Sequence, residues 1–269
     1  MKNILAMACV AAAMTLGGCS SVPLTETGAI SSYSGLGPTS GTFGKWRSYV
    51  RGEVLEARTI KIIPTRMTPQ ARAVLKVASD QKLVTNAVDR SLCLALSDRF
   101  VVVPESAPAD LTVQATVSTI VPTGSVAAGV SKVMTLGTAA VLPVGVPRLP
   151  IGLGGIAVEA EATNASGTQV AAITWARGAN SLTSNARVSE IGDAYGLASS
   201  FGNQFGRMVV SGKDNPGIAL PSARRIGSAA GLPPKYRACD AFGRSSGLAG
   251  LAGSVVGAPP SWTDNGADP

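Results

Sequence analysis

The chain has 269 residues, enough for one substantial core with long stretches left over. Its formal charge is +7, and it holds 31 glycines and 17 prolines. It has no histidine, which excludes His-based triads and His metal sites, and no basic run interleaved with aromatics, which argues against a nucleic-acid partner.

Residues 1–21 are MKNILAMACVAAAMTLGGCSS. Lys2 supplies a positive start, Ile4 to Leu16 form an apolar run too short to span a bilayer, and Leu16-Gly17-Gly18-Cys19 is a small-residue cleavage site. The pattern resembles the lipobox of bacterial lipoproteins. That resemblance implies cleavage between Gly18 and Cys19, a diacylglyceryl group on the Cys19 thiol and a third acyl chain on the new amino terminus. Ser20 follows, where an Asp would signal retention at the inner membrane, so the expected location is the outer membrane, lipid-anchored and facing the periplasm. Several acyl chains at ~0.8 kcal/mol per buried methylene make such an attachment effectively permanent. The alternative is a secretory signal cut elsewhere, with Cys19 incidental. Removing residues 1–18 takes away Lys2 and no acid, so the mature chain stays basic and suited to anionic lipid headgroups and acidic wall polymers.

Residues 19–44 are mostly Ser, Thr, Gly and Pro with hardly a charge, a composition that predicts a flexible tether, with Tyr33 and Leu36 suggesting a short docking segment within it. Ile60 and Ile62 then alternate with Thr59 and Lys61 as in a half-buried strand that Pro64 ends. Thr68 and Pro69 suit the cap and first position of a short helical turn. Ser79 is the expected N-cap of a longer helix, with Asp80 beside it and a stripe of Val84, Val88, Leu92, Ala95 and Leu96 facing a sheet. Phe100 to Val103 predicts a short strand covered on both faces, and Leu111 to Ser118 a one-sided strand. Ile156 to Ala162 and Val170 to Trp175 predict a hairpin turned by Asn164 to Gly167, with Glu159 and Glu161 facing out. A closing helix sets Ala194, Leu197, Ala198, Phe201, Phe205 and Met208 along one side. The sum is an α+β fold, a mixed or antiparallel sheet of about five strands with two helices packed on one face, spanning residues 45–210.

Two stretches stand apart. Residues 123–155 are apolar, punctuated by Gly and Pro and nearly uncharged; Pro143, Pro147 and Pro150 forbid a single spanning helix. They read either as a crossover with a loop over the open sheet face, or as an insertion meeting the membrane or a neighbouring subunit. In the closing helix Gly202 and Gly206 stack on one face at a cost of about 1 kcal/mol each against Ala, which suits self-association or plain glycine-rich composition. Residues 211–269 lose periodicity and predict a disordered extension, except near Tyr236 to Phe242.

Candidate chemistry is sparse. Cys93 and Cys239, in an oxidising compartment, either form a disulfide or are two unrelated thiols. Glu159 and Glu161, about 6–7 Å apart on one strand face, could serve as acid and base of an envelope hydrolase, against the plainer reading of a solvated face. Gly243-Arg-Ser245-Ser-Gly247 matches a nucleophile elbow but has no strand before it, and the glycines at 152–155 lack the strand-then-helix setting of a dinucleotide fingerprint. Nothing points to a metal or cofactor.

TGAISSYSGLGP (residues 27–38), RTIKIIPT (58–65), FVVVPESAPADLTVQATVSTIVP (100–122), IAVEAEATNASGTQVAAITWARG (156–178) and SEIGDAYGLASSFGNQFGRMV (189–209) together resemble the bacterial lipoprotein family Domain of Unknown Function 3313. The first looks like its Ser-x-Tyr-Ser-x-Leu-x-Pro opening, the next three like its strands, and the last like its closing helix with the Gly192-Asp193 start. That family has no assigned activity. The expected function is a non-enzymatic binding or adaptor module of the cell envelope. The alternative is a homo-oligomeric envelope assembly or secretion component, since the layout also resembles the curli-secretion lipoprotein class.

Overall fold

The computed structural model describes residues 21–125, 128, 151–180, 184, 187–215, 222–244, 247–264 and 266. The fold is α+β, with six strands rather than five: β1 (Lys45–Val50), β2 (Thr59–Met67), β3 (Val101–Val102), β4 (Leu111–Val121), β5 (Gly155–Asn164) and β6 (Gln169–Gly178). They lie in the order β1-β6-β5-β4-β2-β3. β2 runs parallel to β3 and β4, and the β4, β5, β6, β1 half is antiparallel, so the sheet is mixed. The additional strand, β1, lies at the sheet edge, and its interleaved charges and aromatics blur the period-two signal. β3 is also an edge strand. Val102 is buried but Val101 is 44% exposed, so only one face of this apolar run is covered.

Helix α1 (Pro69–Val74) begins as Thr68 and Pro69 predict, with Thr68 Oγ1 accepting from the Ala71 N–H at 3.2 Å. Helix α2 (Ala78–Leu96) begins one residue earlier than its expected cap: Val77 takes the N-cap position without a side-chain bond, and Ser79 lies inside the first turn beside Asp80. Helix α3 (Gly192–Ser211) ends on Gly212, whose φ of 64° is the left-handed conformation that stops a helix. The expected stripes of α2 and α3 bury Val84, Val88, Leu92, Phe201, Phe205 and Met208 against Ile60, Val113, Val158 and Trp175 of the sheet. Trp175 donates its indole N–H to Gln204 at 2.9 Å and meets Phe201 edge-on at 5.7 Å.

Pro64 does not end β2, which continues to Met67 across a register shift between Ile63 and Arg66. Proline cannot donate to the ladder and is accommodated here at the irregularity. The Thr65 N–H reaches Asp89 of α2 instead, which also accepts the Thr65 hydroxyl at 2.5 Å. A buried carboxyl group thus satisfies the amide that the irregularity frees, and ties helix to sheet.

Gly202 and Gly206 do not form an outward face. A Cβ at Gly202 would stand 2.0 Å from Ser91 Oγ, and one at Gly206 would stand 2.3 Å from Ala95 Cβ. The Ser91 hydroxyl donates to Ala198 O at 2.9 Å across the same seam. These glycines let α3 approach α2 of the same chain, which is why the helix tolerates their propensity cost.

The C-terminal extension is ordered where it is described. It forms α4 (Ala223–Ala229), a 3-10 turn (Arg237–Phe242), α5 (Gly247–Val256) and α6 (Pro260–Thr263). Cys239 and Phe242, in the stretch excepted from the predicted disorder, are buried in the main core, whereas α4, α5 and α6 stand where composition predicts disorder.

Two outcomes follow from this packing. Gly206→Ala is expected to lose about 1–3 kcal/mol in urea melts through overpacking, with no change in particle mass by gel filtration. Burial pushes the Asp89 carboxyl from 3.8 up to about 7, against the lowering effect of the Thr65 hydrogen bonds. The folded state therefore holds a proton that the unfolded state has lost, and this stabilising contribution is fully present below about pH 4 and lost as pH rises through about 7. Asp89→Asn should flatten that decline, measured as Tm against pH for both proteins.

Candidate functional site

The sheet face opposite the helices carries two acids on β5, and the N-terminal segment closes over them. Val22 packs on Ala157 and Ala176, and Ile30 and Leu36 pack on Ala172 with Tyr33 and Tyr49 alongside. The alanines of β5 and β6 are small, so the segment's backbone comes close to the sheet. Gly155 is required for the same reason, since a Cβ there would meet Val22 Cγ2 at 2.3 Å. The flexible tether predicted from composition is thus corrected from Val22 onward. Three apolar side chains and a row of hydroxyl and amide donors suffice, because the sheet supplies matching patches 130 residues away.

Glu159 Oε1 accepts from the Thr27 N–H at 2.9 Å and the Thr27 hydroxyl at 2.7 Å, while Oε2 accepts from the Tyr33 hydroxyl. The Tyr33 oxygen in turn accepts the Gly28 N–H at 2.8 Å and the Ala29 N–H at 3.1 Å, closing residues 28–33 into a compact loop. Burial and the Glu159 carboxylate both push the Tyr33 phenol up. Glu161 accepts from the Ser31 N–H at 2.8 Å, the Ser31 hydroxyl at 2.9 Å and Gln169 Nε2 at 2.6 Å. Every oxygen of both carboxylates is engaged, and Glu159 is 1% exposed. The pair expected on a solvated strand face, with acid and base roles only as the alternative, instead lies under this strap. The return limb is pinned by Gly37 N–H to Ser48 O at 3.1 Å and by Arg47, which pairs with Glu26 and donates to Gly37 O.

The strap starts at the end of the sheet where β4 finishes, β5 begins and β6 finishes. Asp193, in the first turn of α3, accepts the Gly154 N–H at 2.7 Å and the Thr123 hydroxyl at 3.1 Å, and Gly124 N–H donates to Gly152 O at 2.9 Å. These bonds form a neck between the two ends of the 123–155 insertion. A Cβ at Gly154 would strike Thr123 Oγ1 at 2.6 Å, so the neck needs glycine there. The glycines at 152–155 lead into a strand.

A clasp holds the C-terminal extension to the helices. Cys93 of α2 and Cys239 are joined as a disulfide with Cα atoms 6.0 Å apart, closing a separation of 146 residues. Arg90 grips Asp264 at 2.6 and 3.4 Å, donates to Phe242 O at 3.2 Å and to the Tyr195 hydroxyl at 3.0 Å, and Tyr195 donates to Asp264. Burial, with the Asp264 carboxylate adding, pushes the Tyr195 phenol up to about 12. The disulfide partners were legible as a pair of cysteines; Arg90, Tyr195 and Asp264 gave no spacing signal. Gly18 and Cys19, most of the 126–150 segment and Ser245 lie outside the described residues. Among the described residues no group of three or more Cys, Asp or Glu could hold a metal ion, and no helix is long and apolar enough to cross a membrane.

These features define a two-layer α+β domain whose open sheet face is closed by its own N-terminal segment. The chain belongs to the family described as Protein of unknown function (DUF3313), whose model matches residues 25–205. Thr27, Ser31, Tyr33 and Leu36, which seat the strap, lie within that match, whereas Cys239 and Asp264 of the clasp lie beyond it. No curated protein matches the sequence. Among solved structures, the PelC dodecamer from Paraburkholderia phytofirmans is similar with a TM-score of 0.39 and 11% identity, covering 62% of this chain and 97% of that one. A point variant of that dodecamer, in another crystal form, gives the same figures.

Glu159→Gln tests the strap, because an amide places a donor against at least one of the Thr27 and Tyr33 donors. A loss of about 1–3 kcal/mol is expected in chemical melts. Tyr33→Phe should show a smaller loss in the same direction.

Proposed function

We propose that this protein is a lipid-anchored lipoprotein of the outer membrane's periplasmic face, a non-enzymatic module held against the leaflet to bind an anionic envelope component. The observation that carries this reading is the burial of Val22, three residues after the lipobox cysteine. Three residues reach about 10 Å, whereas a free tether of some 25 residues would have a root-mean-square reach of about 25–30 Å. Acyl chains on Cys19 would therefore hold one particular end of the domain to the membrane. Ile151, Val188, Val255 and Val256 are exposed at or beside that end, and the Val188 N–H donates to Gly257 O to bring α5 there. Apolar side chains beside a lipid anchor suit contact with the acyl boundary, and the basic balance of the chain suits anionic headgroups. The two acids that a hydrolase would use are committed to the strap, which favours a binding role over catalysis.

Labelling cells with radioactive palmitate and fractionating their membranes tests the anchor. The parent chain is expected to carry label and sediment with outer membrane, and Cys19→Ser to carry none. Label retained by Cys19→Ser, or an unlabelled parent free of membranes, would overturn the reading.

A further inference from the structure

A cavity of about 340 Å³ lies between the end of β6 and the first turns of α3. Arg177, Arg187 and Asp193 supply its charges, and Ser184, Ser200 and Ser254 are among the polar groups on its wall. Among the described residues, Arg177 Nε and Arg187 Nη1 of these two lining side chains are buried without a hydrogen-bond partner. Arg187 stacks over the Tyr195 ring at 5.3 Å, and burial pushes its guanidinium down. Buried donors without acceptors are costly, and guanidinium donors more so than neutral ones. Asp193 is engaged in the neck through Gly154 and Thr123, and Asp264, whose charge also reaches Arg187, is paired with Arg90, so among the described lining residues two guanidinium groups against one carboxylate leave an excess of one positive charge.

We propose that this cavity binds a phosphate group, that of an anionic phospholipid headgroup. Guanidinium forks match phosphate oxygens in geometry and charge, serine hydroxyls can serve the remaining oxygens, and a phosphodiester carries the single negative charge that the excess requires. Position supplies the source. Arg177 adjoins Gly178, which pairs with Gly155, and Gly155 lies against Val22, so the cavity sits beside the point where the chain leads back to Cys19. The assignment to a lipid rests on the anchored reading above; the phosphate chemistry rests on the arginines alone.

The test is isothermal titration of the full chain in non-ionic detergent with two water-soluble probes: glycerophosphoglycerol, a phosphodiester headgroup without its acyl chains, and inorganic phosphate. Saturable binding of the diester, tighter than that of inorganic phosphate and weakened at least tenfold by Arg177→Gln, is the expected result. Gly196→Glu is a second variant that removes no contact. Gly196 lines the same cavity, and a Cβ there meets nothing within 4 Å. Its carboxylate should occupy the arginines and abolish binding, while replacing a helical glycine should raise Tm by about 2–4 °C. Tighter binding of inorganic phosphate than of the diester would overturn the lipid source and leave a free-phosphate site. Absence of saturable binding by either probe, or unchanged affinity in both variants, would overturn the site. None of these readouts depends on acylation, so failure here is distinct from failure of the palmitate labelling.

Discussion

Glu159 stands on the sheet face that has no helix over it, yet it is 1% exposed. A carboxylate so placed costs several kcal/mol unless donors are brought to it, and the donors come from Thr27 and Tyr33, more than 120 residues earlier in the chain. The dependence is mutual. Residues 22–36 have too little apolar surface to order themselves, and only Glu159, Glu161 and the alanines of β5 and β6 give them a surface to match. Once the strap is seated, both faces of the central strands are covered, one by α2 and α3 and the other by the chain's own beginning.

This arrangement gathers several features at one end of the sheet. The strap begins there, the neck formed by Thr123, Gly154 and Asp193 closes there, and α5 is brought alongside through Gly257 and Val188. The clasp of Cys93 to Cys239 and Arg90 to Asp264 fixes the path of the C-terminal segment that supplies α5. A disulfide closing so long a loop is worth about 2–4 kcal/mol, and a buried ion pair adds geometric definition more than net stability. Together these contacts gather the start of the strap, the neck and α5 at one defined end of the domain, which a domain on a loose tether would lack.

The main elements were legible because their signals are local. The stripe of Val84, Val88 and Leu92, the Thr68-Pro69 helix start and the alternation in β4 and β5 each follow from spacing along a few residues. What escaped depends on contacts distant in sequence. Gly202 and Gly206 suit either an association face or plain glycine-rich composition, since nothing local reveals that Ser91 and Ala95 already fill the space opposite them. Pro64 looked like a strand end, since the acceptor that rescues Thr65 lies on another element. The strap looked like a linker, although its Ser-x-Tyr-Ser-x-Leu-x-Pro pattern carried the family resemblance. Tyr33 and Leu36 within it marked a docking segment without revealing what it docks on.

The defined end of the domain depends on residues 22–37 being part of the folded structure. Hydrogen exchange followed by mass spectrometry on the intact protein measures this directly, with the peptides covering residues 22–37 compared with those from β5 and β6. Protection is expected for the amides of Thr27, Gly28, Ala29, Ser31, Leu36 and Gly37, which donate to Glu159, Tyr33, Glu161 and Ser48, at levels within an order of magnitude of the sheet's own amides. Exchange of those amides at the rate of an unstructured chain, while β5 and β6 stay protected, would contradict it.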